Sequence, residues 1–128
     1  LFPDAVRALM RVVKPGGRLI IGEVYWRTPE TVPQFAAQRE TGIGSESAIY
    51  TQAREASCEV MYALHSNHDD WDHYTTEDWR GMSDWLDENP GHPDFAEVLK
   101  HLRESQDEFA SYGREHYGWA LYILKTPL

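Results

Sequence analysis

Residues 118–125, Gly-Trp-Ala-Leu-Tyr-Ile-Leu-Lys, are apolar without a break from Trp119 to Leu124. A strand that is apolar at consecutive positions is enclosed on both faces, so it sits between neighbours and not at a sheet edge. The rest of the chain must therefore supply flanking strands and helices to cover them.

Those elements can be read along the chain. Residues 3–13 predict an amphipathic helix, with Val6, Leu9, Met10 and Val13 at helical spacing and Pro3 in the first turn, where a missing N–H costs nothing. Lys14-Pro15-Gly16-Gly17 stops it, and a glycine there supplies the positive φ of a tight turn. Arg18–Trp26 follows as a strand; Leu19, Ile20 and Ile21 are apolar in succession, which predicts cover on both faces. Residues 27–44 are broken by Pro29, Pro33, Gly42 and Gly44, with room for a short helix around Gln34–Arg39. Ser45 is placed to cap a helix over 46–56. Cys58–His65 predicts a strand in which Cys58, Val60, Tyr62 and Leu64 alternate with Glu59, Met61, Ala63 and His65.

Residues 69–116 read as two helices separated by Asn89-Pro90-Gly91-His92-Pro93, with capping boxes expected at Thr75/Asp78 and Asp94/Glu97. Trp71, Asp78, Trp79, Met82, Trp85 and Leu86 mark the stripe of the first, and Phe95, Val98, Leu99, Leu102, Phe109 and Tyr112 that of the second. The order of elements predicts an α/β sheet. The strands at 18–26 and 58–65, joined by a helix, should be parallel to each other.

The chain of 128 residues has a net charge of −9, unevenly placed. Residues 69–116 hold 14 of the 21 acidic residues and four of the 12 Lys and Arg. So acidic a surface repels phosphate backbones, which argues against nucleic acid as a partner. It is either a solvated helical face or one that steers a cationic substrate. No apolar run approaches the length of a membrane span, so no membrane partner is expected. Cys58 stands alone, which rules out an intrachain disulfide and makes the cytoplasm the expected compartment. Without an initiator Met, and opening at a helix start, the sequence is expected to be part of a longer protein.

Three segments together resemble one family. Arg11-Val12-Val13-Lys14-Pro15-Gly16-Gly17-Arg18-Leu19 is similar to the stretch before the fifth strand of class I S-adenosylmethionine-dependent methyltransferases. Arg54-Glu55-Ala56-Ser57-Cys58-Glu59-Val60 is similar to their entry to the sixth strand, with Ser57 where glycine is usual and Cys58 where an aromatic is usual. GWALYILKTP resembles their seventh strand. Gly22-Glu23-Val24-Tyr25-Trp26, with Asp69-Asp70-Trp71-Asp72-His73-Tyr74, resembles a bacterial subgroup with GE-x-YW and DDWD-x-Y signatures; Val24 replaces the usual proline.

The resemblance implies a partial Rossmann-like sheet of strands five, seven and six, with a helical insertion at 69–116 before the last strand. It implies an enzyme that uses S-adenosylmethionine, with a small-molecule methyl acceptor as its partner. The glycine turn and acidic residue that hold the cofactor in that family have no counterpart here. Gly42-Ile43-Gly44 does not follow a strand, so no cofactor-binding residue is assigned. The chain is read as the C-terminal half of such a domain, inactive alone and prone to self-association through the uncovered edge of its first strand.

In an open α/β sheet the site lies beyond the carboxyl ends of the parallel strands. That placement singles out Glu23, either to accept a substrate proton and hold a substrate cation, or to bond a nearby loop. Tyr25 and Trp26 are either pocket walls or core. His65, His68, Asp69 and Asp70 follow the second strand; substrate contact by His65 and Asp70 competes with loop capping. Two histidines three apart at a strand end have no fixed ligand geometry, so no metal is expected. Trp71 and Tyr74 suit an aromatic wall for a cationic acceptor or sulfonium. The helical pair is either a substrate-selecting lid or a cover for the sheet. The competing reading is a non-enzymatic acidic α/β module that binds a ligand or partner through the same helices.

Overall fold

The computed structural model describes residues 2–28 and 42–128. The expected short helix around 34–39 lies outside the described residues. The chain divides into two compact units, residues 1–66 with 116–128, and residues 67–115.

The first unit is a three-stranded sheet with two helices. Helix α1 (Phe2–Met10) is followed by strand β1 (Arg18–Trp26), helix α2 (Glu46–Glu55), strand β2 (Glu59–His65) and, after the second unit, strand β3 (Tyr117–Lys125). The order is β1-β3-β2, and β3 is antiparallel to both neighbours. The last strand is thus central, as its unbroken apolar run predicts, and β1 and β2 run in the same direction.

Helix α1 ends at Met10, three residues short of the predicted Val13, because the chain tightens there: Val12 N–H donates to the Leu9 carbonyl at 3.0 Å. Gly16, at φ +71°, makes the turn into β1, and its N–H donates to the Pro127 carbonyl at 2.8 Å. Buried Thr126 ties the other side, its hydroxyl donating to the Lys14 carbonyl at 3.1 Å. The segment before the first strand and the end of the last are thereby pinned together.

Ser45 caps α2 as expected, its hydroxyl accepting from Ala48 N–H at 3.2 Å. Ser57 between α2 and β2 has φ +62°, the left-handed conformation that glycine adopts freely and a side chain does not.

Both helices pack on one face of the sheet. Phe2, Val6, Ile49 and Ala53 meet Leu19, Tyr25, Ala120, Tyr122 and Leu124 in the core, with Cys58 fully buried beside them. The other face carries no helix among the described residues of this unit. Ile20 is 65% exposed, and Tyr62 and Leu64 are exposed too. The predicted two-sided cover of β1 is therefore not found here, since α1 and α2 cover one side only.

Strand β2 departs from simple alternation. Val60 pairs with Leu124 and Tyr62 with Ile123, so Met61 is an extra residue, a β-bulge. The bulge reverses the parity of the residues after it. Cys58 and Val60 face the helices, but so do Ala63 and His65, whereas Tyr62 and Leu64 turn outward. The predicted alternation put His65 with Met61; the structure separates them.

The second unit is a helical hairpin, α3 (His68–Glu88) and α4 (Phe95–Glu108), closed by a π-helical turn at Phe109–Gly113. Its capping differs from expectation. The capping box at the start of α3 is Asn67 with Asp70, and Thr75 is mid-helix, where its backbone needs no cap. Asp94 stands at the start of α4 but makes no side-chain cap bond, so the predicted box with Glu97 does not form. Leu86, Leu102 and Tyr112 are the buried hydrophobic residues of the hairpin. Trp79 is held by an Nε1–H bond to Ser105 at 2.9 Å and an edge contact with Phe109 at 5.1 Å. Both carboxylate oxygens of Asp72 accept from Arg114 Nε at 3.1 Å. No helix is long and apolar enough to cross a membrane among the described residues.

Candidate functional site

The carboxyl ends of β1 and β2 lie on either side of β3, and their side chains meet on the helix-covered face. Tyr25 is the last residue of β1 to point there. Its ring lies against the backbone of Gly118 directly across the strand pair; a Cβ at Gly118 would come within 2.4 Å of it. Glycine at 118 is what lets that ring lie flat on the strand. The ring also meets His65 edge-on, with centroids 6.1 Å apart. Trp26 turns to the opposite face and stacks on Tyr117 at 4.8 Å.

His65, aimed inward by the bulge, donates from Nε2 to the Glu46 carboxylate. The same carboxylate oxygen accepts the hydroxyls of Tyr50 and Tyr122, each at 3.2 Å. One oxygen in the first turn of α2 thus gathers three donors, from β2, from β3 and from its own helix. Burial, then the neighbouring Glu46 charge, raises the pKa values of Tyr25, Tyr50 and Tyr122, the last most strongly. These phenols stay protonated, and Tyr50 and Tyr122 act as donors. Tyr122 is fully buried, whereas the His65 and Glu46 side chains are 43% and 30% exposed. The cluster therefore runs from the core to the surface.

Glu23 occupies a separate place. Its carboxylate accepts from Val24 N–H at 2.9 Å and lines a cavity of about 200 Å³ with Phe2, Pro3, Ser45, Ile49 and Gln52. The bond expected to a nearby loop is made instead to the next residue of its own strand, and the carboxylate also faces open space.

The remaining predicted residues are in the helical unit. Asp70 is committed to the capping box: its carboxylate accepts from Asn67 N–H at 3.1 Å, and its N–H donates to the Asn67 side chain at 2.8 Å. Trp71 and Tyr74, one turn apart, stack with centroids at 5.8 Å and an interplanar angle of 24°, and Tyr74 is 71% exposed.

Of the predicted residues, then, Tyr25 and His65 come together. Glu23 lines a cavity near them in the same unit, and Trp26 faces away. Asp70, Trp71 and Tyr74 cluster in the other unit. Glu46, Tyr50 and Tyr122 were not singled out from the sequence. Glu46 reads there as an acid suited to the start of a helix, and Tyr122 as one more core aromatic. Among the described residues, no group of three His, Cys, Asp or Glu could hold a metal. Ser66-Asn67 joins β2 to α3 without a glycine, and Gly42 and Gly44 precede α2 in a connection that lies partly outside the described residues.

No family model matches the chain. It is 30% identical over 129 residues to the uncharacterized protein YjhP of Escherichia coli (strain K12), an alignment that covers 96% of the chain and 51% of that protein. The crystal structure of a S-adenosylmethionine-dependent methyltransferase from Geobacter sulfurreducens, in complex with S-adenosyl-L-homocysteine, superposes with a TM-score of 0.85 at 27% identity. That superposition covers 98% of the chain and 52% of the enzyme. The corresponding enzyme from Thiobacillus denitrificans, with the same ligand, gives 0.82 at 26% identity over 95% of the chain and 51% of the enzyme. The chain spans about half the length of the proteins it matches. Over nearly its whole length it has an α/β methyltransferase-like fold with a three-stranded antiparallel sheet, similar to S-adenosylmethionine-dependent methyltransferases.

Proposed function

We propose that this chain is the C-terminal half of an S-adenosylmethionine-dependent methyltransferase domain. Its proposed task is to form acceptor-side walls for a small molecule, while sequence outside it supplies the cofactor's glycine turn. The observation that carries the reading is the close superposition on two enzymes with S-adenosyl-L-homocysteine bound, over about half of each. The resemblance of the three strand-entry segments supports the same placement.

In the sheet unit, Glu23, Tyr25 and His65 are the proposed acceptor contacts, with Trp26 as a supporting wall. In the helical unit, Trp71 and Tyr74 offer an aromatic surface suited to a cationic group, and Asp70 holds the helix start that presents them. A direct connection between the last two strands needs only a few residues, so the hairpin of 67–115 is proposed to select the acceptor. The edge of β1 away from β3, bridged by Ser45 at Trp26, and the bare face at Ile20 and Leu64 should make the isolated chain associate with a second copy.

Titration calorimetry of residues 1–128 with S-adenosylmethionine tests the division of labour. A dissociation constant weaker than about 10 μM, roughly −7 kcal/mol, is expected. Tighter binding would place the cofactor site within this chain and overturn the proposal. In the intact enzyme, Glu23→Gln and Trp71→Ala should lower turnover more than stability; full activity in both variants removes those residues from the site.

A further inference from the structure

We infer that His65 takes the proton from the methyl acceptor, with Glu46 as its positioning residue, and that the acceptor is a neutral small molecule bearing a hydroxyl group. The inference rests on the methyl-transfer reading.

It begins with the tautomer. An ionised carboxylate has no proton to give, so the bond between Glu46 and His65 puts the ring N–H on Nε2. In the neutral ring the lone pair is then on Nδ1. No described group bonds Nδ1, and the side chain is 43% exposed. A carboxylate that fixes one nitrogen of an imidazole and frees the other is a recurrent arrangement for a general base.

The groups packed around the ring favour His65 over its neighbours for this task. Glu46 faces it from α2, with Tyr50 bonded to the same carboxylate, Tyr25 faces it from β1 and Tyr122 from β3. The three phenols are held protonated by burial and by Glu46. The Glu46 oxygen is occupied by three donors, which lock the carboxylate in place. Histidine is the side chain that exchanges a proton near neutral pH. Both Tyr25 and His65 end parallel strands, at the edge where ligands of open α/β sheets bind.

The proton step is simple. The acceptor's O–H bond breaks with its electron pair left on oxygen, and the proton bonds to the Nδ1 lone pair. The resulting imidazolium stays paired with Glu46 through Nε2–H. A hydroxyl oxygen needs its proton removed as the methyl group arrives, which the imidazole lone pair can do, whereas a neutral amine already has a lone pair to offer.

The test uses the full protein without methyl donor and 4-nitrophenol as the probe, at a pH where the free phenol is mostly un-ionised. Wild type should raise the phenolate absorption band, Glu46→Gln should raise it several-fold less, and His65→Asn should not raise it. The methyl ether 4-nitroanisole, which has no proton to give, should produce no such band. Nitrogen NMR of the ring should find Nε2 protonated and Nδ1 bare. No rise with wild type, an equal rise with His65→Asn, or a proton on Nδ1 overturns the inference. If the bands behave as expected but no labelled methyl group leaves S-adenosylmethionine, the base stands and the methyl-transfer reading falls.

Discussion

The sheet unit and the helical hairpin are built by opposite rules. The sheet unit buries a continuous core and brings a carboxylate, an imidazole and two phenols together from distant parts of the chain. The hairpin has three buried hydrophobic residues, Leu86, Leu102 and Tyr112, and carries an acidic excess of ten within 69–116. Its contacts are made within one helical turn, as in the Asn67–Asp70 box, or across the hairpin, as from Trp79 to Ser105 and from Arg114 to Asp72. Partners in the hairpin contacts named above are at most 42 places apart, whereas the sheet unit pairs residues more than a hundred places apart, such as Arg18 with Lys125.

The largest effect expected from this contrast is in the core. Leu124→Ala, at a fully buried site, should cost about 2–5 kcal/mol in urea unfolding. Hydrogen exchange should show the loss concentrated in β1, β2 and β3. Equal loss of protection in α3 and α4 would mean that the two units fold as one.

Alkaline pH should separate the units next. Tyr25, Tyr50 and Tyr122 have pKa values raised above the ordinary 10.0 in the folded state. For such groups the unfolded chain releases its protons first. Their stabilising contribution is whole below pH 10 and is lost as pH rises beyond it. Circular dichroism should show the β signal failing above pH 10, and Tyr122→Phe should move that failure to higher pH. An unchanged alkaline limit in this variant would remove the buried phenol as its cause.

In the hairpin, Asn67→Ala removes one side of the capping box and should cost about 1 kcal/mol, seen as faster exchange in the first turn of α3 alone. The smallest change should be a gain. Ser57→Gly relieves a left-handed backbone and should stabilise the sheet unit by about 0.5–1 kcal/mol, measured as a higher urea midpoint. A loss there would mean that the serine side chain contributes more than its backbone costs.

The same contrast governs how much was legible in the sequence. The central position of β3 followed from its unbroken apolar run, and the turn at Gly16 from Pro15-Gly16-Gly17. Ser45 announced its helix by chemistry alone. The helical segment was bounded to within one residue, but its capping box was misplaced, because Thr75 and Asp78 mimic the box that Asn67 and Asp70 form. Residues 118–125 could be recognised as the central strand, but nothing local says that Tyr122 reaches Glu46, 76 positions earlier. The inward turn of His65 was hidden for a sharper reason: a bulge leaves no mark in composition, and alternation counted through Met61 gives the wrong face.

That extra residue has a genetic consequence. Met61 has no partner of its own on β3, so the strand can lose its codon without losing its register. After such a deletion Val60 would still face the helices, Tyr62 would turn outward, Ala63 inward, Leu64 outward and His65 inward, each opposite the residue it meets now. Gaining a codon between residues 62 and 65 is different. One more residue there, absorbed as regular strand, would swing the imidazole to the outer face and break the Glu46 cluster without altering any of its members. Strand β2 should therefore tolerate being shortened by one residue at the bulge and resist being lengthened by one beyond it.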